Sequence, residues 1–193
     1  MNVEESMDYL RETARNCLED PYRTLCLAAI ENYAEGYGGA KHHHAYKGGL
    51  AVHVADVVRR CVELANPETI DMSVLLTAAY WHDHCKLLEY REVKPATSFT
   101  DGPEGVLIPA VIGYTDYIKM ISHPVGSTYA LRDALYDYLK AGGACEAIFP
   151  LDKITHCMLS HHGRKEWGSP VEPAANEAWI LHAADMMSSR ADA

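Results

Sequence analysis

Eleven histidines occur in this chain of 193 residues, and several stand beside carboxylates. The informative pieces are His53, the pair His82-Asp83, then His123, the pair His161-His162, and Asp185. Imidazole and carboxylate donors suit Zn, Fe, Mn, Co or Ni. An adjacent His-Asp pair at a helix end can turn both side chains toward one ion. A carboxylate has two oxygens and can bridge two ions. Two cations about 3.5–4 Å apart clamp the attacking and leaving oxygens of a phosphoryl transfer. Each piece alone also has an ordinary reading. His53 can be a packed core histidine, His123 before Pro124 can cap a helix, and His161-His162 can complement a helix dipole. Asp185 within an apolar helix is harder to explain that way, because an unpaired buried carboxylate is costly.

The elements that must position these residues read as helix after helix. Val3 to Leu18 has helical patterning. Asp20-Pro21 supplies an N-cap and a first-turn proline for a helix predicted to reach Glu35, where Gly36, Gly38 and Gly39 end it. Lys41 to Gly49 reads as a loop. Leu50 to Leu64 is apolar at helical spacing and Asn66-Pro67 stops it. Met72 to Trp81 is apolar throughout and predicts a buried helix. Arg91 to Gly113, with Pro103 and Pro109, reads as loop or a small β-hairpin. Ser127 to Lys140, Leu151 to Ser160 and Ala174 to Ser189 complete the set. The expected fold is all-α, in a single domain spanning residues 1–193.

Composition bounds the function. Hydrophobic residues make up 48% and charged residues 23%, as in a globular protein. No apolar run approaches the roughly 20 residues that span a bilayer. The start of the chain is acidic and lacks the regions of a signal peptide, so the expected location is cytoplasmic. Six cysteines form no CxxC pair and read as reduced thiols, mostly in the core. Lys and Arg total 17 against 27 Asp and Glu, a formal net charge of −10. Such a surface repels a long nucleic acid. It matters less to a small anion, whose local field is set by cations in a pocket.

The order His, His-Asp, His, His-His, Asp resembles the HD superfamily of metal-dependent phosphohydrolases. The strings His43-His44-Ala45-Tyr46-Lys47-Gly48-Gly49-Leu50, His82-Asp83-His84-Cys85-Lys86-Leu87 with Glu89-Tyr90, Tyr114-Thr115, Ser160-His161-His162-Gly163, Gly168-Ser169-Pro170 and Leu181-His182-Ala183-Ala184-Asp185 are most similar to the YhaM-type 3′–5′ exoribonuclease branch. The family usually has Gly where Cys85, Ile118 and Ser122 stand, and a segment from Phe99 to Gly113 reads as inserted. That branch carries an oligonucleotide-binding barrel ahead of its HD domain. Here the residues before His42 read as helices.

The resemblance implies an HD helical bundle with a metal-binding core over residues 42–190. It implies a dinuclear centre of two divalent transition metals. His53, His82, Asp83 and Asp185 would hold one ion, and Asp83 would bridge to a second held by His123, His161 and His162. Such a centre supplies an activated water for in-line attack on phosphorus. Lys86 and Asp83 are the candidate catalytic residues, with Lys86 neutralising charge that develops on the phosphoryl oxygens. Tyr46, Lys47, Arg164, Lys165 and Trp167 adjoin the ligand motifs and are candidate substrate contacts, Tyr46 and Trp167 by stacking on a base. His182 reads as a supporting or core histidine. The implied activity is phosphohydrolase or phosphodiesterase action on a nucleotide, cyclic nucleotide or short oligonucleotide. A 3′–5′ exoribonuclease and a di-iron oxygenase of the same fold remain alternatives. No membrane partner is expected, and a homo-oligomer is compatible with the reading.

Overall fold

Asn2 opens the first helix. Its side chain accepts the Glu5 amide at 2.9 Å, and the Glu5 carboxylate accepts the Asn2 amide at 2.9 Å, a reciprocal cap on α1 (Val3–Cys17). A computed structural model of the chain describes residues 1–40, 44–95, 97–99, 106–108, 110–145 and 149–190. Lys41, His42, His43, Pro103 and Pro109 lie outside the described residues.

The second helix starts one residue later than its pattern predicts, with Pro21 rather than Asp20 at the cap position; Asp20, just before it, accepts the Thr24 amide at 3.3 Å and the Thr24 hydroxyl at 2.7 Å. The helix α2 (Tyr22–Ala29) is shorter than the sequence pattern predicts. The chain continues as a 3₁₀ turn at Tyr33–Glu35. The reason lies in the carbonyls. A ring nitrogen of His84 donates to the Ala29 carbonyl at 3.1 Å, and the Tyr33 amide turns to Ile30 instead. The Tyr33 ring then enters the core, where its hydroxyl donates to the Tyr80 carbonyl at 2.6 Å.

After α3 (Gly49–Leu64) comes α4 (Met72–Trp81), capped by the Asp71 carboxylate. Every residue from Val74 to Trp81 is buried. A helix that is apolar all round belongs at the centre of a bundle. There α4 packs against α2, α3, α8 (Leu151–Ser160) and α9 (Asn176–Arg190). Two buried polar groups of α4 find partners: the Tyr80 hydroxyl donates to the Leu10 carbonyl, and the Trp81 indole donates to the Leu25 carbonyl. Residues of α1, α2 and the later helices share one hydrophobic core.

The short helix α5 (Lys86–Glu89) follows α4 by one turn. The expected hairpin is present as two antiparallel ladders. β1 (Tyr90–Lys94) pairs with β4 (Val111–Tyr114), and between them β2 (Thr97–Phe99) pairs with β3 (Val106–Ile108). No parallel pairing occurs among the described residues, so the fold is all-α with a small β-hairpin. The short α6 (Tyr117–Met120) leads to α7 (His123–Lys140). This helix starts earlier than the predicted Ser127, because Pro124 suits its first turn. Cys26, Cys61, Cys85 and Cys157 are buried, Cys17 is exposed and Cys145 half-buried, all as free thiols. Among the described residues no helix is long and apolar enough to cross a membrane.

Candidate metal centre

The seven predicted ligand residues come from five helices or helix ends. His53 lies in the middle of α3, and His82-Asp83 lie where α4 ends. His123 opens α7, His161-His162 close α8, and Asp185 lies within α9. Each is placed by an element whose other faces are in the core. The turn at His161-His162 depends on Gly163, whose φ of 87° suits glycine. A Cβ there would meet the His182 ring at 2.5 Å. His182 is therefore close-packed on this turn, and its Nδ1 donates to the His161 carbonyl at 2.7 Å.

Asp83 sits between two groups of imidazoles and is fully buried. Its Oδ2 is 3.1 Å from His53 Nε2 and 3.3 Å from His82 Nε2. Its Oδ1 is 3.3 Å from His123 Nε2 and 3.6 Å from His161 Nε2. Asp185 joins the first group, with Oδ1 3.2 Å from His53 Nε2. His162 joins the second, its ring centroid 4.1 Å from that of His161 and 5.1 Å from that of His123. The donor atoms of His53, His82, Asp83 and Asp185 lie within 4.8 Å of one another, as do those of His123, His161 and His162.

The outward nitrogens decide what the inward ones can do. His82 Nδ1 lies 2.8 Å from the Ala79 carbonyl and His161 Nδ1 2.6 Å from the Met158 carbonyl. A carbonyl only accepts, so these Nδ1 atoms carry the proton. In the neutral ring Nε2 is then a lone pair aimed at the centre. His123 Nδ1 is held in the same way by Glu89 Oε2 at 2.7 Å, and His53 Nδ1 meets Ser188 Oγ at 3.1 Å. Outer partners of this kind orient metal-binding imidazoles. Among the described residues, Asp83 Oδ1, His123 Nε2 and His161 Nε2 have no hydrogen-bond partner although all are buried. Lone pairs converging on lone pairs without a shared proton are costly unless a cation sits between them. The donor set fits divalent metal of the N/O-binding kind.

The electrostatics agree. Burial pushes the His161 imidazole well below its ordinary range, helped by His162 and His82. Burial and then His123 push His162 down to about 4. Both rings are neutral donors near neutral pH. Burial opposes the charge on Asp83, but Lys86 and His82 outweigh it and hold its carboxyl well below the usual carboxylate range. Burial likewise opposes the charge on Asp185, and His53 and His161 hold it low. Lys86 Nζ lies 2.6 Å from Asp83 Oδ2 and donates to the Gly38 carbonyl at 3.0 Å. Burial works against that ammonium, yet Asp83 and Asp185 keep its pKa above the ordinary value.

A cavity of about 330 Å³ opens on this centre. Among the described residues it is lined by Lys86, Tyr90, His123, His162, Trp167, Asp185, Met186, Ser189 and Arg190. Of the five expected substrate contacts, Trp167 alone is among them. Tyr46 lines a separate cavity of about 450 Å³ with Asp56, Arg59, Arg60 and Ser188. Lys47 pairs with Glu35 at 2.6 Å on the surface. Both face away because their loop is pinned at its ends, by the Gly38 amide on His44 O and the Gly48 amide on Gly36 O. The Arg164 guanidinium lies over the Trp167 ring at 5.2 Å, which in turn stacks on His182. Lys165 is exposed on the 3₁₀ turn Lys165–Trp167. Sequence reasoning missed Ser188 and Arg190, and it quoted Glu89-Tyr90 as part of a family string without giving either a role. Arg190 lies one residue beyond the predicted end of the last helix at Ser189.

The model of the HD domain family matches residues 50–189. The chain belongs to the HD domain family. All seven converging side chains lie within the matched residues. Relatives include a protein of Listeria monocytogenes serotype 4b, 27% identical over 98% of this chain and 55% of its own length. Others come from Shouchella clausii, 28% identical over 97% of this chain and 52% of its own, and Oceanobacillus iheyensis, 28% identical over 98% and 55%. All three are named 3′–5′ exoribonuclease YhaM. The chain spans about half the length of these curated relatives. No solved structure matches it.

Proposed function

We propose that this HD domain is a metal-dependent phosphodiesterase acting on a nucleotide, cyclic nucleotide or short oligonucleotide through a dinuclear centre. The observation that carries this reading is the division of Asp83 between two imidazole groups, Oδ2 toward His53 and His82, Oδ1 toward His123 and His161. A carboxylate shared in this way suits two cations more than one. His53, His82, Asp83 and Asp185 would hold the first ion, and His123, His161 and His162 with Asp83 the second. Mn, Fe, Zn, Co and Ni all suit this N/O donor set. When bound, the pair supplies charge stabilisation and an activated water for in-line displacement at phosphorus.

The chain's own residues supply the rest. Lys86 lines the cavity beside Asp83 and would neutralise negative charge that grows on the non-bridging phosphoryl oxygens in the transition state. Arg190 adds a second cation to the same wall. Burial, with Glu89 and Asp83 nearby, keeps the Tyr90 phenol protonated, so it offers a hydrogen-bond donor to the substrate. Trp167, braced between Arg164 and His182, offers a face for a base. The relatives' name supports a nucleic-acid substrate. The net charge of −10 supports a short one, because long strands gain affinity from many Lys and Arg contacts. The test is hydrolysis of short and long single strands by the metal-loaded protein at low and moderate salt. Faster turnover of the short strand with a weak salt dependence is expected. Processive digestion of the long strand with a steep salt slope would sink the short-substrate reading in favour of an exoribonuclease.

A further inference from the structure

The outer partners of the site imidazoles are unequal. His82 and His161 donate to neutral backbone carbonyls of their own helices. His53 meets the Ser188 hydroxyl, and the carboxylate behind it, Asp56, is already taken by Arg59 and Arg60 at 2.6 and 2.8 Å. Of these four rings, His123 alone faces a carboxylate directly, Glu89 Oε2 at 2.7 Å. Glu89 is only 3% exposed, and among the described residues no lysine or arginine pairs with it.

The two ligand groups are also unequal in charge. The first contains Asp185 and shares Asp83. The second has three imidazoles, neutral as donors, and only a share of Asp83. Three neutral donors and part of one carboxylate bring less ligand charge to a divalent cation than the first group does. A carboxylate one hydrogen bond behind an imidazole raises the basicity of the inward nitrogen and fixes its orientation. Burying that carboxylate, with His123 the one charged partner within ion-pair distance among the described residues and Lys86 acting on it from further away, is itself costly without a nearby cation. We propose that Glu89 is the positioning residue of the second cation position. It supplies through His123 the negative charge that His123, His161 and His162 lack, and makes the dinuclear state accessible. This rests on the two-metal reading above.

The test is titration of the metal-free protein with Mn²⁺ by calorimetry, with bound metal counted after dialysis. Wild type is expected to take two equivalents. Glu89→Gln keeps an acceptor for Nδ1 and removes the charge; it should weaken the second equivalent by about tenfold. Glu89→Ala removes both and should weaken it by up to about 100-fold. The first equivalent should be retained in both, and the Mn²⁺ paramagnetic resonance spectrum should change from a coupled pair to an isolated ion. Circular dichroism of the metal-free variants checks folding, and the near-isosteric Gln variant carries the test if the Ala variant does not fold. Wild-type affinity for both equivalents in Glu89→Gln overturns the inference and leaves the dinuclear reading standing. Loss of both equivalents together also overturns it, since Glu89 would then be a general structural support. A wild type that takes one equivalent overturns the dinuclear reading and this inference with it.

Discussion

Replacing Lys86 by Met removes one charge from the centre and keeps most of the side-chain volume. The ammonium lies 2.6 Å from Asp83 Oδ2, and the side chain is 12% exposed. At an effective dielectric constant near 20, unit charges about 2.6–4 Å apart attract by roughly 4–6 kcal/mol. Desolvation offsets part of this, and stranding one partner of a buried pair costs about 3–5 kcal/mol. Burial opposes the charge on His53, 3.1 Å from Asp83, but Asp185 and Asp83 outweigh it and raise its pKa, so a proton there can replace the ammonium and the lower end applies. The metal-free variant should therefore lose about 3 kcal/mol, or roughly 6–12 °C in Tm for a chain of this size. With saturating Mn²⁺ the cations neutralise Asp83 themselves, and the loss should shrink to below about 1 kcal/mol. Metal content should be unchanged. Removing an electrostatic contact made in the transition state typically lowers kcat by about 10²–10³, and a drop of that size is expected with a phosphodiester substrate. Thermal unfolding with and without Mn²⁺, metal counting and steady-state kinetics decide the matter. Wild-type kcat would make Lys86 a structural counter-ion only. An equal stability loss with and without metal would show that no cation shares Asp83.

The bridging role of Asp83 separates it from the other ligands. Asp83→Ala should leave no tightly bound metal, whereas His123→Ala should retain one equivalent, measured by elemental analysis after dialysis; equal losses in the two variants would refute the division of Asp83 between two groups. Away from the centre, Glu177 at the start of α9 accepts the Asp71 amide at 3.0 Å and Lys153 Nζ at 2.8 Å, tying α9 to the starts of α4 and α8. Burial opposes its charge, but Lys153 and these hydrogen bonds outweigh it and lower its pKa. A depressed carboxylate stabilises the fold above its unfolded pKa of about 4.3, and that contribution is lost as pH falls through the lower folded value. Because Lys153 is partly solvated, Glu177→Gln should cost only about 1 kcal/mol at neutral pH. Urea unfolding should show this difference fading in strong acid; a pH-independent difference would assign the effect to packing.

The chemistry of the centre was legible in residue types and order. His82 and Asp83 are adjacent, His161 and His162 are adjacent, and Asp185 interrupts an apolar helix. Those facts need no tertiary information, because neighbours in the chain are neighbours in space. The helical bundle was legible for the same reason: apolar spacing and helix start and stop signals act within one or two turns. The early end of α2 was not, since it depends on His84, 55 residues later, taking the Ala29 carbonyl. Nor was the placement of Tyr46 and Lys47, which follow their motif closely in sequence yet face away from the cavity. Glu89 stood in a family string, but its role was not legible, because its partner His123 lies across the hairpin, 34 residues on. Residue type and order offered candidate donors, and the resemblance to the HD superfamily implied which of them would bind a cation. Only the tertiary structure decided which oxygen of Asp83 faces which imidazoles, what stands behind each ring, and which side chains line the cavity. Those relations arise where helices distant in sequence pack against α4, and no local pattern encodes them.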